Sequence, residues 1–198
     1  QYVQAGQEGG NAFADVFTGE VTPSGKMSDT WAKTYNDYPG AEVFSYKSGN
    51  LMKEYYEEGI FVGYRYFDTF QVPVRYGFGY GLSYTDFAIA AGAVSVSALG
   101  TMDPKVTVEV TVKNTGDTAG TETVQLYIHD VTASVVRPVK ELKNFRKVTL
   151  QPGEEQKVEF TINEKELRFL TENERVESEN GVFEVFIGSD STTEKKAE

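Results

Sequence analysis

The chain has 198 residues and a formal net charge of −11, from 19 Lys and Arg against 30 Asp and Glu. That length suits one large domain or two small ones with a real core, and the acidity argues against nucleic acid and against an anionic membrane surface, both of which need clustered cations. With no Cys and one His, disulfides, thiolate metal sites and Cys nucleophiles are excluded and a structural zinc site has too few ligands; no apolar run approaches the ~20 residues of a membrane span.

The sequence opens Gln1-Tyr-Val-Gln, without Met or a leader, and is expected to begin inside something longer or to have been processed. Tyr2-Val3 reads as the last step of a strand. Gly6-Gln-Glu-Gly-Gly-Asn11 then reads as a turn, and Ala12, Phe13, Val16 and Phe17 fall on one helical stripe. A glycine turn between strand and helix is a βα corner whose N–H groups suit an anion. No G-x-G-x-x-G or P-loop spacing is present, so turn chemistry is the simpler reading. Glu8, at this corner, is expected to cap backbone N–H groups. Gly19 is placed to end the helix, Thr22-Pro-Ser-Gly25 to form a turn, and Lys26–Trp31 to run extended.

Residues 32–57 are polar and Tyr-rich, broken by Pro39-Gly40 and Gly49-Asn50. They read as a long excursion, and long ordered loops are often functional. Trp31, Tyr35, Tyr38, Tyr55 and Tyr56 have faces that either stack on sugar rings or pack the loop onto its domain; packing is the simpler reading.

Next comes Glu58-Gly-Ile-Phe-Val-Gly-Tyr-Arg-Tyr-Phe-Asp68, followed by Tyr76-Gly-Phe-Gly-Tyr-Gly-Leu-Ser-Tyr-Thr85. Gly77, Gly79 and Gly81 alternate with Phe78, Tyr80 and Leu82, a pattern that lets backbone approach backbone while the large residues share a side. Glu57 and Glu58, adjacent in an extended segment, point to opposite sides and do not make a working carboxylate dyad. One is expected in solvent and the other paired with a neighbour such as Arg65. Asp68 is expected to pair with Arg65, or to bond the loop backbone.

From Asp103 the pattern becomes period-two. Val106, Val108, Val110 and Val112 alternate with Thr107, Glu109, Thr111 and Lys113. After the turn Asn114–Gly120, an alternating strand is predicted at Thr123–Ile128, another strand region at Leu142–Leu150, and a third strand at Lys157–Ile162. A short helical corner is expected over Asn163–Leu170, and Gly181–Gly188 closes the sheet. Short strands separated by turn signals predict an immunoglobulin-like sandwich.

Glu58–Asp68 and Phe78–Phe87 resemble the EGI-x-VGYRYYD and FGYGLSYT-x-F signature of glycoside hydrolase family 3. Gly6–Lys26 resembles its GQEGG-x-A-x-ADVLFG-x-x-NPSGK stretch, with Met27-Ser-Asp-Thr-Trp31 departing from the usual leucine-proline version. Val112–Gly116, Val124–Tyr127, Arg137–Leu142 and Leu150–Glu154 resemble the fibronectin type III-like domain that follows in these enzymes. The resemblance implies an α+β, mostly β chain. Residues 1–90 would be the C-terminal part of the family's α/β sandwich domain with its long loop, and residues 91–198 the fibronectin type III-like β-sandwich.

The resemblance also implies part of a retaining exo-β-glycosidase of the β-glucosidase or β-xylosidase kind. Retention needs two carboxyl groups about 5–5.5 Å apart. In this family the nucleophile is an Asp on a (β/α)8 barrel, and the acid/base is usually a Glu preceding the stretch found here. No position of this chain matches either, so no residue is assigned as catalytic. Trp31, Tyr55, Glu58, Arg65 and Asp68 are the loop candidates for lying near a sugar. No cofactor or metal is expected. The implied partners are the remainder of the parent enzyme, barrel included, and a small β-glycoside; the compartment, bacterial cytoplasm or secreted, stays open. The first ~90 residues, an incomplete α/β unit, are expected to leave sheet edge and apolar surface exposed. Two other readings are a free carbohydrate-binding module and a structural β-domain. The outward strand residues, mostly Thr, Glu and Lys, lack the planar aromatic strip of the first; the second leaves the glycine–aromatic signature unexplained.

Overall fold

The alternating valines of 106–112 become a strand with one dry face. In the computed structural model, which describes residues 5–97, 104–194, 196 and 197, this strand is flanked on both sides. The expected strand step at Tyr2-Val3 lies outside the described residues. In chain order the elements are α1 (Gly9–Thr18), β1 (Trp31–Ala32), α2 (Tyr64–Thr69), β2 (Val74–Tyr76), β3 (Phe87–Ser97), β4 (Lys105–Asn114), β5 (Gly120–Asp130), β6 (Glu141–Leu150), β7 (Glu155–Asn163), α3 (Glu164–Leu167), β8 (Phe169–Leu170), β9 (Val176–Glu177) and β10 (Phe183–Gly188).

Two antiparallel three-stranded sheets, β3-β4-β7 and β10-β5-β6, face each other. Between them Val108, Val110 and Val112 of β4 and Phe160 and Ile162 of β7 meet Val124, Leu126 and Ile128 of β5, Leu150 of β6 and Ile187 of β10. Register explains this set: Val108 pairs with Phe160 and Val110 with Val158, so the same parity of both strands points inward. Each such side chain taken out of water stabilises the fold by about 1.5–3 kcal/mol. The expected corner at Asn163–Leu170 forms α3, with the Glu166 carboxylate accepting the Asn163 N–H at 2.6 Å. Five elements were not read from the sequence: the two- and three-residue strands β2, β8 and β9, together with β3 and α2. β3 is rich in Ala and Ser and looks like neither a strand nor a helix by pattern, and α2 lies inside the signature.

β5 corrects the expected alternation. Thr123, Gln125 and Tyr127, which alternation would turn away from the core, are buried together with Val124 and Leu126. The second face of the sheet is covered by the signature segment and by residues 189–193. Tyr127 packs edge-on against Tyr64 of α2, and Tyr64 against Phe78. Residues 78–80 are themselves bonded on both sides: Met27 and Tyr80 share backbone hydrogen bonds through Gly79 N–H to Met27 O and Met27 N–H to Tyr80 O, while Ser191 N–H donates to Phe78 O.

The opening residues are held more loosely. α1 starts at Gly9, inside the run read as a turn, and ends at Gly19 in the left-handed conformation as expected. Glu8 does not cap it: its carboxylate accepts from the Asn11 side chain at 2.6 Å instead, with no side-chain bond to the helix backbone. The Phe13–Phe17 stripe forms and stacks on itself, yet no residue of α1 is buried. Residues 32–57 make the expected excursion, with two 3-10 turns at 35–37 and 45–48.

Candidate functional site

The signature supplies the scaffold on which every candidate residue is hung. β1 pairs with β2, setting Trp31 opposite Tyr76 at the base of the long loop, with their rings edge-to-face. Tyr76 in turn stacks on Tyr80. Tyr38 donates its hydroxyl proton to Thr30 O, accepts the Ala32 N–H, and packs on buried Phe67 of α2. The loop is thus anchored by aromatic packing, as the simpler reading held for Tyr38.

The alternating glycines each meet a different close neighbour, as their spacing suggested, but the large residues between them do not share one side: Phe78 packs on Tyr64, while Tyr80 and Leu82 lie beside Tyr76. Gly79 has φ of +83°, and a Cβ there would sit 2.5 Å from the Gln125 amide. At Gly81 a Cβ would fall 2.3 Å from the Gly25 carbonyl oxygen. The segment therefore wedges between β5 and the 25–27 strand-like stretch, which only residues without side chains permit. Lys26 closes the stretch with a 2.6 Å ion pair to Glu122 on β5, and Thr22 Oγ1 donates to Ala119 O.

Beside this wedge lies a groove of about 780 Å³, lined among others by Phe13, Val16, Trp31, Tyr76, Tyr80 and Leu82. Among the described residues none that lines it is a carboxylate, and Lys26 is the one charged lining residue, already committed to Glu122. Such a surface can take an apolar partner or a ring face, and it lacks the acid–base pair that glycoside hydrolysis demands.

The five candidates are not brought together. Trp31, 41% exposed, belongs to the groove. Tyr55 is exposed on the excursion. Glu58 is half-buried, next to exposed Glu57, and its carbonyl accepts the Phe61 N–H. Arg65 pairs with neither Glu58 nor Asp68: α2 aims its guanidinium at Glu141 of β6, 3.8 Å away. Asp68, on the same helix, is turned into the seam with the sandwich.

There Asp68 meets Lys140 and residues 190–191. Burial, the largest influence, raises its pKa from 3.8 to about 6; Lys140 and the Ser191 hydroxyl pull the other way, and Asp190 adds to the rise. Lys140, itself buried, donates to Ser191 O at 2.9 Å and Thr193 O at 2.7 Å. The same burial pushes the Tyr127 phenol up; its hydroxyl donates to Gln125 Oε1, and Gln125 Nε2 donates to Ser189 O at 2.6 Å. Lys140 and Gln125 thus tie the start of β6 and β5 to the 189–193 segment, Tyr64 and Thr69 of α2 accept the Leu142 and Val139 N–H groups, and Asp68 Oδ2 is buried in this seam with no hydrogen-bond partner. Lys140 and Gln125 were missed from sequence because each sits in a stretch that reads as ordinary strand or connection. His129, the lone histidine, lies 3.2 Å from Glu184, a cross-strand pair. Among the described residues no helix is long and apolar enough to cross a membrane.

Two family models match the chain in succession: the glycosyl hydrolase family 3 C-terminal domain over residues 1–64 and the fibronectin type III-like domain over residues 122–191. Among curated proteins, Beta-glucosidase BoGH3A of Bacteroides ovatus is 45% identical over 94% of this chain, and a periplasmic beta-glucosidase of Salmonella typhimurium is 42% identical over 97%. The chain spans only 25% and 24% of their lengths. A solved structure of beta-glucosidase 3B from Thermotoga neapolitana, in complex with glucose, superposes with a TM-score of 0.84 at 40% identity, covering 98% of this chain and 27% of that one. With both family models in sequence order and relatives aligned end to end across it, the chain belongs to glycoside hydrolase family 3, as the region that joins its C-terminal domain to a fibronectin type III-like sandwich.

Proposed function

We propose that this chain is the scaffold portion of a longer retaining exo-β-glycosidase of the β-glucosidase kind, which hydrolyses O-glycosyl bonds with carboxylates carried outside these residues. The observation that supports it is the collinear match to relatives named as beta-glucosidases, of which this chain spans about a quarter. The groove without a carboxylate is consistent with it. In a retaining enzyme one carboxylate attacks the anomeric carbon while a second acid protonates the departing oxygen, then acts as base toward water. On this reading the partner that completes the enzyme is a (β/α)8 barrel. The chain's part is positional: the hydrogen bonds at Tyr64 and Thr69 hold the signature to the sandwich, and the signature holds the base of loop 32–57. The same reading divides the chain near residue 90, where β3 begins the sandwich.

Of the five candidates, Trp31 and Tyr55 present exposed rings and are proposed to reach a sugar; half-buried Glu58, whose carbonyl accepts the Phe61 N–H, shapes the turn that leads into the signature. Arg65 and Asp68 act as positioning residues, since both are turned towards the sandwich. The test is hydrolysis of p-nitrophenyl β-glucoside by the longer gene product and by the 198-residue chain alone, with native mass measured on both. Turnover by the longer protein only is expected. Robust turnover by the chain alone would overturn the reading, whereas tight sugar binding without turnover by both would favour a carbohydrate-binding module.

A further inference from the structure

One charge cluster runs against the acidity of the chain. Glu141, at the start of β6, is approached by three cations: Arg137 makes a hydrogen-bonded ion pair with its Oε2, Lys143 Nζ lies 3.6 Å from the same oxygen, and Arg65 lies 3.8 Å from Oε1. The last two distances are too long for hydrogen bonds. Among the described residues none of these three cations has a second carboxylate within ion-pair distance, so the cluster carries a surplus of two positive charges in a chain whose net charge is −11. Elsewhere among the described residues, cations pair with carboxylates one to one, or two to one at Glu184.

The donors are also left idle in a specific way. The Nε atoms of both Arg65 and Arg137 are buried and have no hydrogen-bond partner. Buried polar groups in folded proteins are nearly always bonded, and an orphaned one points to a ligand, ion or water. Arg137 is held in place: its guanidinium lies 4.7 Å from the Phe169 ring centroid, and its side chain is 15% exposed. Arg65, fixed on α2 beside Tyr64, whose hydroxyl accepts the Leu142 N–H, is 41% exposed and leaves a way in. A guanidinium offers planar forked donors that match a carboxylate, and two of them with a lysine make a rigid receptor.

We propose that Arg65, Arg137 and Lys143 form a site that binds a carboxylate, with Glu141 as the internal group that partly neutralises it when empty. The ligand is either a free carboxylate or an acidic side chain from another part of the longer protein.

The test is a titration of the 198-residue chain with sodium malonate, ionic strength held with sodium chloride, following the Arg Nε–Hε resonances. Saturable shifts at Arg65 and Arg137 are expected. R65Q, at the most open position, should weaken binding about tenfold and E141Q should strengthen it about tenfold, each corresponding to ~1.4 kcal/mol. Shifts that follow ionic strength alone, or unchanged malonate binding in R65Q, would overturn the site; R65Q keeps the test decisive should E141Q not fold. Repeating the titration on the longer protein separates the sources. A malonate response there identifies a free anion; resonances already at the malonate-saturated positions and unresponsive identify an acidic side chain. Neither readout involves glycoside turnover, so the site stands or falls apart from the enzymatic proposal.

Discussion

The two halves of this chain reach order by different means. The sandwich from β3 onward owns a closed core: Val108, Val110, Val112, Val124, Leu126, Leu150 and Phe160 have no solvent exposure at all. The region before residue 58 has no comparable cluster. Phe13, Phe17, Leu51, Met52 and Tyr56 are 54–91% exposed, and of its described residues only Thr30 and Ala41 are buried. Between the halves, residues 64–81 have almost no interior of their own except Phe67, yet they are pinned against β5 through Tyr64, Gly79 and Gln125. A helix can therefore be regular without being stabilised by burial. α1 has its stripe and its glycine stop, but in proteins helices gain most of their stability by packing such a stripe, and here it lines an open groove and stays exposed.

The sharpest way to break this comparison is native-state hydrogen exchange. Amides in the middle of β4 and β5 should open only with global unfolding, whereas α1 should open locally at little cost. For a domain of ordinary stability, about 5 kcal/mol or more, the protection factors should differ by over ~10³. Uniform protection across both in a monomer would show that the opening residues are packed after all. Next in size is a pair of truncations. Phe160→Ala, in the fully buried position opposite Val108, should destabilise by about 3–5 kcal/mol. Phe17→Ala, 77% exposed, should stay within about 0.5 kcal/mol. Denaturant melts of both variants test it. A large loss at Phe17 would mean that the stripe already has a partner, such as a second copy of the chain.

A smaller effect tests the seam. Asn114 is fully buried and uses its whole amide: Oδ1 accepts the Thr85 hydroxyl at 2.6 Å and the Gly116 N–H at 3.1 Å, while Nδ2 donates to Thr118 O at 2.8 Å and Leu150 O at 3.1 Å. It ties the end of the signature to both sheets. Asn114→Ala leaves several buried groups without partners, which should cost about 2–3 kcal/mol. If stability falls by less than half of that, water replaces the amide and the tie is not what joins the halves.

What was legible from sequence follows the same division. Strands β4 and β7 could be read because one face is dry and the other wet, which writes a period of two into the residues. β5 was read with the right residues and the wrong environment: Thr123, Gln125 and Tyr127 look like an outer face, and nothing local records that the signature lies on them. β3 escaped because Ala and Ser carry little pattern. At the candidate site, Gly77, Gly79 and Gly81 announced a close backbone approach without naming Gln125, Gly25 or Thr192 as what they approach. Ion pairing was the least readable. Arg65 was expected beside Glu58 or Asp68, its neighbours in sequence, and the fold gave it Glu141 instead. The rotation of a helix that the sequence pattern does not reveal decides such pairings.

The seam carries one titratable group whose effect has a definite sign. Asp68 has a folded pKa of about 6 against 3.8, with burial as the leading cause. Because the folded value is the higher one, the folded chain holds the proton more tightly between those two pH values, and stability contributed by this group falls as pH rises. Its share is complete below about pH 4 and gone above about pH 6, with a ceiling of about 3 kcal/mol for a shift of this size. Partial solvent access reduces what is observed to about 1–2 kcal/mol. Asp68→Asn keeps the shape and removes the charge. It should therefore be more stable than the parent chain at pH 8 by that amount and indistinguishable from it at pH 4, in melts run on both proteins across the range. An Asn variant that is less stable at pH 8 would mean that the ionised carboxylate holds Lys140 and the 189–193 segment in place, and that the two halves are joined by charge instead of by burial.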